Sequence, residues 1–347
     1  MIQRSFVLAL LVVCLLTGCD RPQDPLYRDR FFALGTLIDL SLYGASQEQQ
    51  AAASTALLSA FTAMHADWHA WEDGSLAQVN RQLAEGKAFT PDPGILPLLQ
   101  AANRLSSLSG GLFNPTIGRL VDLWGFHSDE ITNLSPPASA EIEALLALAP
   151  SAGDVMLENG QLSGSNPAVQ YDLGAFAKGY AIDRGIELLQ SMGIAHAIIN
   201  AGGDLRAIGK HGDRPWRIGI RNPRGAGVLA SVELDGDECI FTSGDYERYF
   251  EASGRRYHHI IDPRTGYPAT GTVSVTVMHR DATTADAAAT ALFVAGPDHW
   301  VGVAQRMKIR YVMLIDSNGI VHMNPAMQSR VRFEGDSPEV RLSRPLT

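Results

Sequence analysis

Apolar and polar positions recur along this chain with two different periods, and the switches between them mark its elements. From Gln47 to Trp71, apolar residues fall at Leu57, Leu58, Phe61, Met64 and Trp68. That spacing is close to a period of about 3.6 residues and predicts a long amphipathic helix. Asp92–Leu108 and Ala138–Ala149 read as further helices, the second opening after the turn Ser135-Pro136-Pro137. Phe31–Tyr43 reads as a strand. A helix is expected after Asp172-Leu173-Gly174, running to about Met192, then a buried strand at Ala195–Asn200. Short β segments follow at Trp216–Arg221, Val228–Leu234, Tyr246–Ala252, Arg256–Asp262 and Thr272–Met278. Two helices, an Ala-rich one over Thr284–Val294 and another over Asp298–Met307, precede the last strands, Tyr311–Asp316 and Ile320–Met323. Strands gathered in the second half with helices between blocks predict α+β, not regular βαβ alternation. No repeat and no second linker interrupt residues 31–340, so one mixed domain is expected there.

The first apolar run is of another kind. Arg4 precedes Phe6–Leu16, a run too short for a bilayer span of about 20 residues, and the pair reads as an export signal. The run ends in Leu16-Thr17-Gly18-Cys19, which resembles a bacterial lipoprotein box. Residues 1–18 are then a signal peptide and Cys19 carries lipid; a plain signal peptide or a chance cysteine is the alternative. Two or more acyl chains hold a protein on a membrane more firmly than one. By the same resemblance, Asp20 after the cysteine favours the inner membrane, facing the periplasm. Residues 19–30 are charged and contain Pro22 and Pro25, which suits a tether. With Cys14 in the signal and Cys19 lipidated, only Cys239 stays in the domain, where it reads as a small buried hydrophobe.

Composition narrows the function classes. The chain has 347 residues, 46% hydrophobic and 19% charged, enough for a sizeable core and too apolar throughout for disorder. Lys+Arg 28 against Asp+Glu 37 gives −9 with no basic block, which excludes nucleic acid as a partner held by phosphate neutralisation.

Four segments place glycine, acidic and hydroxyl residues at turns, where backbone can approach a ligand. In Asp172-Leu173-Gly174-Ala175-Phe176-Ala177-Lys178-Gly179-Tyr180, Asp172 and Gly174 sit at the predicted helix start, where free N–H groups favour an anion. Lys178, one turn in, suits a phosphate or a ring carbonyl; ordinary capping with a solvated lysine is the plainer alternative. Asn200-Ala201-Gly202-Gly203-Asp204 follows a buried strand, and its glycines admit either a close ligand or a tight strand–turn–strand connection. It is not a GxGxxG fingerprint. In Tyr257-His258-His259-Ile260-Ile261-Asp262-Pro263-Arg264-Thr265-Gly266, the two histidines point to opposite faces of a strand. One of them at the lip of the turn suits a general base, against a surface hairpin with both exposed. In the fourth segment Asp286 and Thr290 share a helix face and are hard oxygen donors suited to Mg²⁺. The alanines between them leave room for a ligand, or serve close packing. His65 and His69 have zinc-ligand spacing, but the Glu of HExxH and a third ligand are missing, so zinc is disfavoured.

In this order the four segments resemble the ApbE family of flavin transferases. Phe32-Ala33-Leu34-Gly35-Thr36, Gly111-Leu112-Phe113-Asn114-Pro115-Thr116, Leu123-Trp124-Gly125-Phe126 and Thr242-Ser243-Gly244-Asp245-Tyr246 extend the likeness over nearly the whole mature chain. The resemblance implies an α+β fold grouped with the tunnelling fold. It also implies an activity: FAD is split at its pyrophosphate, AMP leaves, and FMN is joined to a threonine of an acceptor protein. Acceptors in the family are typically subunits of membrane redox pumps, with the threonine in a Ser/Asp-Gly-Ala-Thr/Ser-Thr-like motif.

Carried over by position, Asp286, Thr290 and the backbone oxygen of Ala175 would hold Mg²⁺. Asp172, Lys178, Ile261, Leu34, Trp71, Leu112, Phe113 and Asn114 would contact FAD, and His259 would be the base. The family often has Met at Leu34 and Asp at Asn114, and some members carry a second acid where Ala289 stands. A Mg²⁺-dependent FAD pyrophosphatase, releasing free FMN and AMP, and a non-catalytic flavin-binding lipoprotein are the alternatives.

Overall fold

A computed structural model describes residues 25–128, 135–335 and 337–346; the expected signal peptide and the lipidated Cys19 lie outside them. A nine-stranded sheet organises the fold. Its order is Leu26–Ala33, Thr36–Tyr43, Ala197–Ala201, Asp204–Ile208, Glu238–Gly244, Thr272–His279, Tyr311–Asp316, Val321–Met323 and Val340–Leu342. Neighbours are antiparallel except the last pair. The helices Gln47–Trp68, Ala177–Ser191 and Ala282–Arg306 share one large core with this sheet. A second core joins it to a three-stranded sheet, Arg332–Phe333, Val228–Leu234 and Trp216–Arg221, through Leu205, Val273 and Met313 against Trp216, Ile220 and Val232. A third, aromatic cluster surrounds Trp124, whose indole donates to the Gly266 carbonyl at 2.8 Å. The protein is mixed α+β, as its pattern predicts.

The central helix explains its own composition. Ala282, Ala285, Ala287, Ala288, Ala289 and Ala291 are all buried, so the alanines serve close packing and do not make room for a ligand. A Cβ on Gly179 would lie 2.3 Å from the Ala282 carbonyl oxygen, so helix Ala177–Ser191 approaches it as only glycine allows. The two helices expected over 284–307 are both present, joined at a break where Gly296 (φ 73°, ψ 177°) leaves the helical conformation ahead of Pro297. Proline removes a helix donor there, and the carbonyls of Phe293 and Val294 take the Thr272 hydroxyl at 3.0 Å and the Arg264 guanidinium at 3.2 Å instead.

Three boundaries differ from expectation. The chain is already a strand from Leu26, so the expected tether 19–30 is structured over its last residues and the ordered fold begins before Phe31. Register pairing with the following strand overrides the polar composition there. The strand expected over Phe31–Tyr43 is a hairpin whose two-residue turn, Leu34 (φ 54°) and Gly35 (φ 69°), has the positive dihedrals that tight hairpins demand. Helices Ser75–Glu85 and Gly118–Leu123 and the hairpin of Val155–Glu158 with Gln161–Gly164 are additions.

Candidate active site

The turns singled out in sequence converge on one cleft of about 550 Å³, inside the range of about 300–1,000 Å³ usual for small-molecule sites. Every predicted site residue of the domain lines it: Leu34, Trp71, Leu112, Phe113, Asn114, Asp172, Ala175, Lys178, His259, Ile261, Asp286 and Thr290.

One wall is charged and rich in oxygen. The Lys178 ammonium pairs with Asp204, whose other oxygen accepts the Thr242 N–H at 2.9 Å. Burial opposes the lysine charge, but Asp204 and then Asp286 outweigh it and hold its pKa above the ordinary value. The helix begins at Ala177, later than predicted, so Asp172–Ala175 form a turn ahead of it and Lys178 lies in its first turn. Asp172 caps that turn, accepting the Gly174 N–H at 2.8 Å. Burial raises its pKa, opposed by Gly174, Arg248, His69 and His127.

Gly179 does not continue the helical pattern backwards. Its N–H donates to Asp286 Oδ2 at 2.9 Å, and among the described residues no backbone donor is left on the Ala175 carbonyl. The Asp286 carboxyl is buried, which pushes its pKa up to about 7; Asp204 and Asp183 add to this, while Lys178 and the Gly179 N–H oppose it. Thr290 Oγ1 lies 3.3 Å from Ser243 Oγ. A freed carbonyl, one carboxylate and one hydroxyl on a single cleft are an oxygen-only donor set. It suits a hard cation such as Mg²⁺, which is commonly held by one or two carboxylates plus substrate phosphates. Ala289 is buried and lies off the cleft, so no side chain stands there for a further contact.

The strand expected over Arg256–Asp262 is Arg255–His258, so His259 lies just past its end, yet the two histidines still face different surroundings. His258 is buried, with Nε2 against the Ala269 carbonyl at 2.9 Å. His259 lines the cleft, with Nδ1 3.3 Å from the Arg248 carbonyl. A carbonyl only accepts, so Nδ1 carries the proton and Nε2 keeps its lone pair. Burial, His258 and Arg248 lower the His259 pKa to about 3, so the ring is neutral at physiological pH.

The other wall is aromatic: Trp68, Trp71, Phe113 and Phe126 line it together with His65, His69 and His127. Trp71 packs on His127 with ring centroids 5.4 Å apart, and its buried indole Nε1 has no partner among the described residues. That unsatisfied donor suits an acceptor on a bound ring system. His69 Nδ1 accepts the Glu72 N–H at 3.0 Å, which commits it to the helix end. Leu34 reaches the cleft from a positive-φ turn, a local strain of the kind that collects at binding sites. Asn114 accepts from Thr116 N–H and hydroxyl at 3.0 and 2.7 Å and donates to Pro150 O at 3.0 Å. An aspartate there would lose that last bond, so its amide suits this chain's own turn.

Sequence reasoning passed over Asp204 as a site residue, although it closes the Gly202-Gly203 motif; the connection proves to be strand–turn–strand. Ser243 and Tyr246 lay in a noted motif without a role. Trp68, His127 and Arg248 carried no local signal.

Acidic residues, a buried lysine and aromatic rings thus line one cleft, a combination of donors suited to a phosphorylated aromatic ligand. The ApbE family model matches residues 34–313, and the chain belongs to that family. It is 42% identical over 315 residues to the FAD:protein FMN transferase of Rhodobacter capsulatus, a match covering 89% of this chain and 59% of that relative's length. It is 32% identical over 323 residues to the Vibrio cholerae protein of the same name, covering 91% and 95%. Among solved structures, the ApbE protein of Thermotoga maritima superimposes with a TM-score of 0.81 at 35% identity, covering 88% of this chain and 99% of its own. The Pseudomonas stutzeri flavinyl transferase ApbE gives 0.77 at 27%, covering 90% and 98%.

Proposed function

We propose that this protein is an FAD:protein FMN transferase, Mg²⁺-dependent, which attaches FMN to a threonine of an acceptor protein and releases AMP. The observation that carries this reading is the meeting of the oxygen set of Asp286, Thr290 and Ala175 with Lys178 and His259 on one aromatic-lined cleft. When bound, Mg²⁺ supplies charge neutralisation at the pyrophosphate. Lys178, held by Asp204, faces the phosphate from the protein side, and Trp71, Leu34, Leu112, Phe113, Asn114, Ile261 and Asp172 receive the rest of FAD. The acceptor hydroxyl attacks the FMN phosphorus, and its proton passes to Nε2 of neutral His259. The phosphorus–oxygen bond to AMP breaks, AMP keeps the bonding pair, and the proton finally leaves to solvent. The acceptors are redox-pump subunits, and Cys19 anchors the enzyme by lipid to the periplasmic face of the inner membrane.

The test mixes the soluble domain from Asp20 onward with FAD, Mg²⁺ and an acceptor domain, and reads fluorescence on a denaturing gel beside AMP. A fluorescent acceptor band with matching AMP is expected. AMP with free FMN and no band on any acceptor would replace this reading by the pyrophosphatase.

A further inference from the structure

Behind the charged wall, off the cleft, sits a buried ionic hub that the reaction does not touch. Asp183 is 2% exposed and takes three hydrogen bonds besides its cation: the N–H of Ala282 at 3.0 Å and the N–H and hydroxyl of Thr283 at 2.8 and 2.5 Å, the cation being Arg206 through Nη1 at 2.5 Å. Ala282 and Thr283 open the helix that carries Asp286 and Thr290, where N–H groups lack helical partners. That helix already has a local cap, since Asp281 accepts the Thr284 N–H at 2.7 Å. Asp183 therefore adds something a local cap cannot: a tie from another element.

Three site-bearing elements meet at this carboxylate. Asp183 and Gly179 lie four apart on the helix of Lys178, so they share a face, and both grip the first turns of the Asp286 helix. Arg206 lies two residues beyond Asp204 on the same strand, on the same side, and clamps Asp237 as well, at 2.8 Å through two nitrogens. Asp204 in turn holds Lys178. The loop closes: strand to lysine helix to carboxylate helix and back. A buried ion pair is weak evidence for stability in itself, because apolar replacements often do as well.

We infer that Asp183 is a positioning residue that sets where Asp286 and Thr290 stand relative to Ala175 and Lys178, and thereby the cation affinity of the cleft. The inference rests on the metal reading proposed above. Groups that orient metal ligands from behind typically change affinity by about 10- to 100-fold when removed.

The probe is Mn²⁺ alone, titrated by electron paramagnetic resonance into the soluble domain, with FAD binding read separately by fluorescence without metal. Wild type is expected to take up Mn²⁺; if it takes up none, the metal reading falls and this inference with it. In folded protein, checked by circular dichroism, Asp183→Ala is expected to weaken Mn²⁺ by about tenfold or more. Asp183→Asn and Thr283→Val, which each keep part of the bonding, are expected to fall between. FAD affinity without metal should stay within about twofold, because Asp183 does not line the cleft. If Asp183→Ala fails to fold, the other two variants carry the test. Wild-type Mn²⁺ affinity in the folded variants, or equal losses of Mn²⁺ and FAD, would overturn the inference and leave Asp183 a purely structural residue.

Discussion

The two walls of the cleft are built on different principles. The charged wall stands on regular elements: two helices in glycine contact, the interior strands of the sheet they pack against, and carboxylates whose oxygens are satisfied by named partners. The aromatic wall draws on scattered elements: His65 and Trp68 from the end of helix Gln47–Trp68, His69 and Trp71 just beyond it, Phe113 from a bend, and Phe126 from the satellite cluster around Trp124; among the described residues the Trp71 indole donor has no partner. Close-packed interiors transmit small displacements, whereas aromatic side chains offer large apolar faces and, for Trp, a polar handle. Under the proposed function the contrast becomes a division of labour: the first wall would position charge for the chemical step, and the second would hold substrate.

That division is open to direct attack. The largest effect is expected from Asp286→Ala, which should lower the rate of AMP release by about 100- to 1,000-fold, matching the several kcal/mol a catalytic cation supplies. A variant retaining near-normal rate would remove Asp286 from the chemistry. Gly179→Ala should cost about 1–3 kcal/mol of stability in thermal or urea unfolding, since the new methyl meets the Ala282 backbone. An unchanged melting point would mean that the helices part without cost. Trp71→Ala should weaken FAD binding by about tenfold, the order of one aromatic contact, while the rate at saturating FAD changes far less. A rate loss as large as the affinity loss would erase the distinction between the walls.

The smallest effect concerns pH. His259 is held at about 3 in the folded state, below its ordinary 6.5, so the unfolded chain binds more protons between those values. Stability should therefore fall as pH drops below 6.5, and His259→Gln should flatten part of that slope. The acid limb of kcat/KM should likewise lie well below pH 6 if His259 is the base of the free enzyme. A limb near 6.5 that persists in His259→Gln would assign it to another group.

Much of this was legible in the chain itself. Strands Trp216–Arg221, Val228–Leu234 and Tyr311–Asp316 stand where their patterns placed them, and the helix expected over Gln47–Trp71 starts where expected but ends at Trp68. Cys239 is buried as its apolar neighbours predict. The site turns were visible because glycine, acid and hydroxyl residues cluster where backbone must approach something. Short elements such as Gly118–Leu123 were not, since so few residues carry no usable period.

What the sequence determined by itself was therefore local: the α+β class, the positions of the turns, and the residue types suited to phosphate and a hard cation. Tertiary structure decided the rest. Only folding could aim the Gly179 N–H at Asp286, free the Ala175 carbonyl, set Asp204 against Lys178 and lower the pKa of His259. These depend on partners far apart in sequence, and on burial, which makes a charge strong or costly and which no single segment of a chain possesses.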